Sequence, residues 1–83
     1  MIYYVYMLIN DNHRYTYVGY TTNLDKRLKL HNNSKGAKFT KGNNWSIIYK
    51  KRYNTKSIAM KNEYLLKKNR KLRKFIKEKF LKH

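Results

Sequence analysis

The first quarter of the chain carries two runs rich in Tyr, Val, Ile and Thr, residues 2–9 and 14–20, separated by the polar stretch Asn10–His13. Aromatic and β-branched residues favour extended backbone, and a short polar connection between two such runs is typical of a β-hairpin. Gly19 is expected to end the second strand, where a residue without Cβ permits a bend or a close approach. A chain of 83 residues builds one hydrophobic core, so every other element must pack on this hairpin. We therefore expect a single domain over residues 1–83.

Residues 23–32 follow the hairpin and have the pattern of a helix. Asn23 is a favourable N-cap, because its side chain accepts a hydrogen bond from an unpaired backbone N–H of the first turn. At about 100° per residue, one stripe of this helix carries Leu24, Leu28 and His31, with Arg27 on its flank. The leucines indicate that this stripe packs on the hairpin. A histidine and an arginine on a packed face are unusual unless they act there.

The remaining chain predicts three more elements after a polar segment at residues 32–44. They are a third strand from Trp45 to Tyr53, a helix that is capped by Thr55 or Ser57 and runs through Glu63 and Leu66, and a lysine-rich helix over about 70–81. The fold class is then α+β: a small, mainly antiparallel three-stranded sheet, made of the hairpin and the third strand, is flanked by helices in the order ββαβαα. Trp45 is expected in the core.

Basic residues dominate the charge: 21 Lys and Arg stand against 4 Asp and Glu, a formal net charge of +17. Such a domain repels itself, and a polyanion that binds it would offset the repulsion. Nucleic acid fits best, since neutralised phosphates release counterions and supply affinity. An anionic membrane is the other candidate, with residues 70–81 as an amphipathic helix. That interpretation leaves the hairpin and the third strand unexplained.

Several classes of protein are excluded by what the sequence lacks. Without cysteine there is no disulfide scaffold and no thiolate zinc site, which fits a reducing compartment. No stretch approaches the roughly 20 apolar residues of a membrane-spanning helix, and no secretory signal is visible. We expect a cytoplasmic, nucleoid-associated protein that is not secreted and has no membrane partner.

Four residues occur in an order that suggests phosphodiester chemistry. Tyr17 follows Tyr6 by eleven residues, Arg27 follows Tyr17 by ten, and His31 follows Arg27 by four. Hydrolysis of a phosphodiester needs a base, a cation for the phosphate oxygens and help for the leaving oxygen. A phenol among basic groups can serve as the base, and Arg27 offers paired planar donors to phosphate. His31 would accept a proton from a tyrosine or donate one to the leaving group.

Glu63 is one of only two acids in the C-terminal half of the chain, and the other, Glu78, lies among lysines. By helical angle Glu63 shares a face with Ala59, Met60 and Leu66, so it should point inward. An inward carboxylate costs several kcal/mol unless it is paired or binds a cation. Mg²⁺ often uses one or two protein carboxylates. An ordinary helix ion pair with Lys67, four residues later, is the alternative.

These residues stand in a longer pattern that resembles the GIY-YIG nuclease superfamily. The match takes in Tyr4-Val5-Tyr6, Tyr17-Val18-Gly19, the segment from Thr21 to Arg27, His31, Lys35-Gly36-Ala37, Trp45 and the helix from Ala59 to Tyr64. It covers about residues 1–76, and it is strongest with small stand-alone bacterial members and with the catalytic module of nucleases that cut branched DNA. Tyr4 stands where the name-giving glycine would be, and Tyr20 stands where many relatives carry a lysine.

The resemblance implies a three-stranded sheet flanked by helices and one divalent metal ion, Mg²⁺ or Mn²⁺, held by Glu63. It places Tyr6, Tyr17, Arg27 and His31 around the scissile phosphate. Either tyrosine would help to activate the attacking water. Each of these residues taken alone has a structural explanation, because strands favour tyrosine and helices carry arginine and histidine on their surfaces.

The basic surface is interpreted as the part that tracks nucleic acid. The candidate nucleic-acid-binding residues are Tyr20, Lys35, Lys38, Lys41, Lys67, Lys68, Arg70, Lys71, Arg73 and Lys74. Phe39 is a further candidate for stacking on an unpaired base. A charged, solvated face is the structural alternative for the lysines.

We therefore expect a metal-dependent DNA endonuclease that acts on single-stranded, flapped or branched DNA in repair or recombination. The alternative is a non-catalytic module of the same fold that binds DNA or RNA. No base-reading element is visible, so specificity would come from a partner protein or from a homodimer.

Overall fold

The computed structural model describes residues 1–33, 40 and 42–82. Its elements follow the predicted order ββαβαα: β1 (Tyr3–Asn10), β2 (Thr16–Thr21), α1 (Leu24–Asn32), β3 (Trp45–Tyr53), α2 (Lys56–Lys68) and α3 (Arg70–Leu81). The α+β fold class is confirmed. No helix among the described residues is long and apolar enough to cross a bilayer.

The sheet has the order β2-β1-β3, with both neighbours antiparallel to β1. As the central strand, β1 is buried from Val5 to Asn10. Tyr6 lies opposite Gly19 of β2 and Lys50 of β3. Because side chains stand on the faces of a sheet, the ring of Tyr6 lies beside the side-chain positions of these two neighbours.

Two small cores lie on the two faces of the sheet. One contains Tyr6, Leu8 and Trp45, against which Leu24 and Leu28 of α1 pack. The other contains Val5, Met7, Val18, Ala59 and Leu66 and involves α2 and α3. The alternation along β1 produces this division, because successive side chains of a strand point to opposite faces. Trp45 is only 3% exposed, so the prediction that it belongs to the core is confirmed.

The hairpin connection is longer than predicted, because β2 begins at Thr16 and not at residue 14. The cause is Asn10, whose side chain is buried at the end of β1. Its Oδ1 accepts hydrogen bonds from the backbone N–H groups of Arg14, at 2.9 Å, and Tyr15, at 2.8 Å. These two amides are therefore engaged in the turn.

Asparagine and threonine side chains begin all three helices. Asn23 Oδ1 accepts from the backbone N–H of Lys26 at 3.1 Å, which confirms the predicted N-cap of α1. Thr55, rather than Ser57, caps α2 by accepting from Ile58 N at 3.2 Å. Asn69 separates α2 from α3 and caps α3 in the same way. The caps fix the start of α1 and α2 relative to the sheet.

Candidate active site

A polar cavity of about 350 Å³ opens at the β2 edge of the sheet. Its lining residues come from both strands of the hairpin and from α1 and α2, and they are Tyr6, Tyr17, Gly19, Tyr20, Thr21, Arg27 and Glu63. A larger cavity, of about 470 Å³, lies between β3 and α3, but its described lining is mainly apolar and includes no carboxylate. The smaller cavity is therefore the candidate active site.

Tyr6 reaches the cavity because Gly19, its partner on β2, has no side chain. A Cβ at position 19 would lie 2.6 Å from Tyr6 Oη and 2.8 Å from Tyr6 Cζ. It would also approach Tyr17 Cε2 to 3.1 Å. Gly19 lies inside β2, two residues before its end, and not at the end of the strand as predicted. The close approach that was the other half of that prediction is confirmed.

Tyr6 belongs to a buried chain of hydrogen bonds. Its hydroxyl oxygen lies 2.9 Å from His31 Nε2, and His31 Nδ1 lies 2.9 Å from Thr40 Oγ1. Tyr6 is 1% exposed, and both His31 and Thr40 are fully buried. Helix α1 thus delivers His31 to the back of Tyr6, away from solvent, so His31 contacts Tyr6 and has no direct opening to a substrate.

The electrostatics of this chain follow from its burial. Burial raises the pKa of Tyr6 to about 12, while the neighbouring Arg27 guanidinium lowers it in part. Burial, with Arg27 nearby, lowers the pKa of His31. Both side chains are therefore neutral at pH 7. The phenol can pass its proton to the neutral imidazole, and the phenolate and imidazolium that result exist only during the transfer and not in the resting state.

Arg27 lies on the same face of α1 and projects into the cavity. Its interaction with the Tyr6 hydroxyl raises the pKa of the guanidinium, which stays charged. Among the described residues its buried Nε has no hydrogen-bond partner. A buried N–H without a partner is costly, and an anion in the cavity would satisfy it.

Glu63 enters the cavity from α2, with 18% of its side chain exposed. Its Oε1 lies 3.3 Å from Lys67 Nζ, so the predicted alternative, a helix ion pair, is present in the structure. The inward direction expected from the helical angle is also observed. No cluster of three His, Asp or Glu side chains suits a metal within the part of the chain that the structure describes. A single carboxylate beside a cavity that admits water still fits Mg²⁺, because water molecules and substrate oxygens complete the coordination shell of this ion.

Tyr17 and Tyr20 are two further predicted residues that the structure places in the lining of this cavity. The Tyr17 ring centroid lies 5.0 Å from that of His31 and 6.4 Å from that of Tyr6. Tyr17 is half-buried, whereas Tyr6 is enclosed. Tyr20 lines the cavity, next to Gly19 and Thr21. Four of the five predicted catalytic and metal-binding residues therefore line one cavity, and the fifth, His31, lies behind Tyr6.

Among the described residues, none of the predicted nucleic-acid-binding lysines and arginines lines this cavity, although Lys67 contacts Glu63. Arg70, Arg73 and Lys74 line a separate groove of about 280 Å³, together with Thr16 and Lys77. Lys68 and Lys71 are exposed on α2 and α3. Lys35, Lys38, Phe39 and Lys41 lie outside the described residues.

Two site residues were not predicted. Thr21 lines the cavity from the end of β2, and Thr40 contacts His31 from behind. Thr40 stands in a polar segment where nothing in the sequence separates it from its neighbours. Its role depends on a contact nine residues away, which local periodicity does not encode.

Known proteins with the same pattern are small. The family model for the GIY-YIG catalytic domain matches residues 2–76 of this chain. A UPF0213 protein of Oceanobacillus iheyensis is 46% identical over 66 residues, which are 77% of this chain and 74% of that protein. A UPF0213 protein of Bacillus velezensis is 42% identical over 76 residues, 88% of this chain and 75% of that protein. The solution NMR structure of a UPF0213 protein from Bacillus halodurans is similar with a TM-score of 0.54 and 35% identity, and the likeness covers 92% of this chain and 83% of that one.

Proposed function

The chain belongs to the GIY-YIG catalytic domain family, and on that basis we propose that it is a metal-dependent endonuclease that hydrolyses phosphodiester bonds in DNA. The observation that carries the proposal is the meeting of Tyr6, Tyr17, Arg27 and Glu63 in one polar cavity. An anion site, a proton acceptor and a metal ligand then lie within reach of a single phosphate.

Arg27 binds the phosphate in this proposal. Its unpartnered buried Nε supplies a donor that is already in place before the substrate arrives. Such preorganised donors stabilise the charge that develops on phosphate oxygens in the transition state. The planar guanidinium can hold two oxygens at once, and this would fix the orientation of the bond to be cut.

Tyr6 is the stronger candidate for the base that takes the proton of the attacking water. Its hydroxyl oxygen lies 2.9 Å from a proton acceptor, His31 Nε2, whereas the ring of Tyr17 packs against the same imidazole with the ring centroids 5.0 Å apart. The high pKa of Tyr6 keeps its phenol protonated at rest, so the proton must pass to His31 before Tyr6 can act. In this account Tyr17 positions the water and the phosphate.

Glu63 would hold the Mg²⁺ or Mn²⁺ ion, which when bound supplies positive charge at the phosphate oxygens and lowers the pKa of a coordinated water. Its present contact with Lys67 is a partly exposed i,i+4 pair, and such pairs are worth only about 0.3–0.5 kcal/mol. That contact is weak enough to give way to a cation.

The groove beside α3 supports DNA as the substrate. Arg70, Arg73, Lys74 and Lys77 lie together there, and side chains of this kind bind phosphates without reading bases. We therefore propose that strand architecture, single-stranded, flapped or branched, selects the substrate, as suits repair or recombination at the nucleoid. RNA, a partner protein and a homodimer are the alternatives for further specificity.

A non-catalytic module that binds DNA or RNA is the second candidate function. The Glu63–Lys67 ion pair favours it, because a carboxylate with a cationic partner does not require a metal ion. This candidate predicts tight binding that weakens steeply with salt and no cleavage under any metal condition.

One experiment separates the two functions. Single-stranded, duplex, flap and four-way DNA, and the matching RNA, are incubated with the protein in Mg²⁺, Mn²⁺ or EDTA. The endonuclease proposal predicts cleavage in metal and none in EDTA, with a preference among the DNA structures. Binding to every substrate without cleavage would favour the binding module.

A further inference from the structure

Thr40 is a fully buried polar residue behind the candidate active site. It does not line the cavity, and its Oγ1 lies 2.9 Å from His31 Nδ1. Since His31 Nε2 faces Tyr6, the two ring nitrogens of one imidazole are held by two different hydroxyl groups. A neutral imidazole carries a single N–H, so the hydroxyl on one side determines what the other nitrogen can do.

The position of Thr40 is fixed by its backbone. The indole Nε1–H of Trp45 donates to Thr40 O at 2.9 Å, and Trp45 is buried. Asn32, at the end of α1, in turn accepts from Trp45 N at 2.6 Å and donates to Trp45 O at 3.2 Å. Thr40 is thus linked through Trp45 to Asn32 of α1, the helix that carries His31.

The direction of the hydrogen bonds follows from the proposed role of Tyr6. If Tyr6 is the base, its proton must leave toward the acceptor at hydrogen-bond distance, which is His31 Nε2, at 2.9 Å. A neutral imidazole that accepts at Nε2 carries its N–H on Nδ1, and the group within reach of Nδ1 is Thr40 Oγ1, also at 2.9 Å.

We propose that Thr40 is a positioning residue that holds His31 in the Nδ1–H tautomer and so keeps Nε2 free to accept the proton of Tyr6. This rests on the proposed nuclease function. In the step, the Tyr6 O–H bond breaks and an Nε2–H bond forms, which gives a phenolate and an imidazolium. The phenolate takes a proton from the attacking water, which restores the Tyr6 O–H bond, and the resulting hydroxide bonds to phosphorus while the bond from phosphorus to the leaving oxygen breaks. The leaving oxygen takes a proton from solvent, and the imidazolium returns its Nε2 proton to solvent through Tyr6, so that the net reaction is hydrolysis. Thr40 Oγ1 accepts from Nδ1–H throughout, which stabilises the imidazolium while it exists.

The test compares Thr40→Ser, which keeps the hydroxyl, with Thr40→Val, which has the same shape without it. Long-range ¹H–¹⁵N NMR of the His31 ring, recorded without metal or substrate, reports which nitrogen carries the proton. We expect the Nδ1–H tautomer in the wild type and in Thr40→Ser, and a shift toward Nε2–H in Thr40→Val. In metal-dependent cleavage, Thr40→Val should lower kcat by about 10- to 100-fold with little change in KM, and Thr40→Ser should stay within about 3-fold of the wild type.

Three results would overturn the proposal. One is an Nε2–H tautomer of His31 in the wild type, which is measurable even if Thr40→Val fails to fold. Another is retention of Nδ1–H in a folded Thr40→Val. The third is a Thr40→Ser variant that cleaves as poorly as Thr40→Val. A wild type that never cleaves would refute the nuclease function and leave the tautomer result standing as a separate test of the hydrogen-bond direction.

Discussion

Gly19→Ala should disable the site by displacing one side chain. The new Cβ would stand 2.6 Å from Tyr6 Oη and 2.8 Å from Tyr6 Cζ, where ordinary contacts begin near 3.4 Å. Tyr6 belongs to the central strand and is 1% exposed, so its backbone cannot retreat. The ring must therefore move by somewhat less than about 1 Å, and its 2.9 Å hydrogen bond to His31 must stretch or bend.

The expected losses of stability and of cleavage rate follow from the consequences of that movement. Overpacking a well-packed core costs about 1–3 kcal/mol, and a weakened buried hydrogen bond adds about 1 kcal/mol. We expect Gly19→Ala to lower the free energy of unfolding by about 2–4 kcal/mol. A misplacement of about 1 Å at reacting groups can reduce the rate about 100-fold, so cleavage should fall by a similar factor.

Urea denaturation measures the stability change, and Tyr6→Phe provides the matched background. Removing the Tyr6 hydroxyl removes the nearest clashing atom, so Gly19→Ala should cost less in Tyr6→Phe than in the wild type. Some cost should remain, because the contact with Cζ persists. An equal cost in both backgrounds, or a Gly19→Ala protein as stable and active as the wild type, would refute the reasoning.

Two further predictions concern α1. Arg27→Lys should preserve the charge but lose the paired donors and the buried Nε–H, so cleavage should fall by about 10-fold or more while DNA binding at low salt changes little; wild-type cleavage in this variant would contradict the role of Arg27. The lowered pKa of His31, which burial causes and Arg27 reinforces, means that the unfolded chain binds a proton before the folded one does. Stability should therefore be complete above about pH 6.5 and fall as pH drops below it, by at most about 1.4 kcal/mol per pH unit from this group. Thermal denaturation from pH 8 to 5 measures how stability depends on pH. His31→Gln should lose the part of this slope that His31 supplies, and the control His13→Asn, in the exposed turn, should keep it. Equal slopes in the wild type and both variants would show that His31 does not titrate as described.

The fold was predictable because its signals are local. The run of tyrosine and aliphatic residues in β1, the asparagine before α1 and the periodicity of α3 each act over a few residues. The start of β2 was missed by two residues, because it depends on the buried side chain of Asn10 binding the backbone of the turn. Both Thr55 and Ser57 could cap α2 by sequence, and the structure has Thr55 as the cap with Ser57 inside the helix.

The site was predictable as a set of residues but not as a mechanism. Intervals along the chain placed Tyr6, Arg27 and Glu63 in one family pattern, and the helical angle placed Glu63 inward. The enclosure of Tyr6 and His31, which raises one pKa and lowers the other, comes from packing between α1 and the sheet. Thr40 was out of reach of the sequence, because its contact with His31 joins two side chains nine residues apart that no local periodicity relates.

Metal-dependent cleavage by the wild type, Glu63→Gln and Lys67→Ala tests the central claim most directly. Glu63→Gln keeps the shape of the side chain and removes its charge, and Lys67→Ala removes the other half of the same ion pair. The account predicts that at saturating DNA the wild type and Lys67→Ala cut in Mg²⁺ or Mn²⁺ but not in EDTA, and that Glu63→Gln does not cut although it folds and binds DNA. Full activity of Glu63→Gln, or equal loss in both variants, would show that Glu63 serves the ion pair and not a catalytic metal ion.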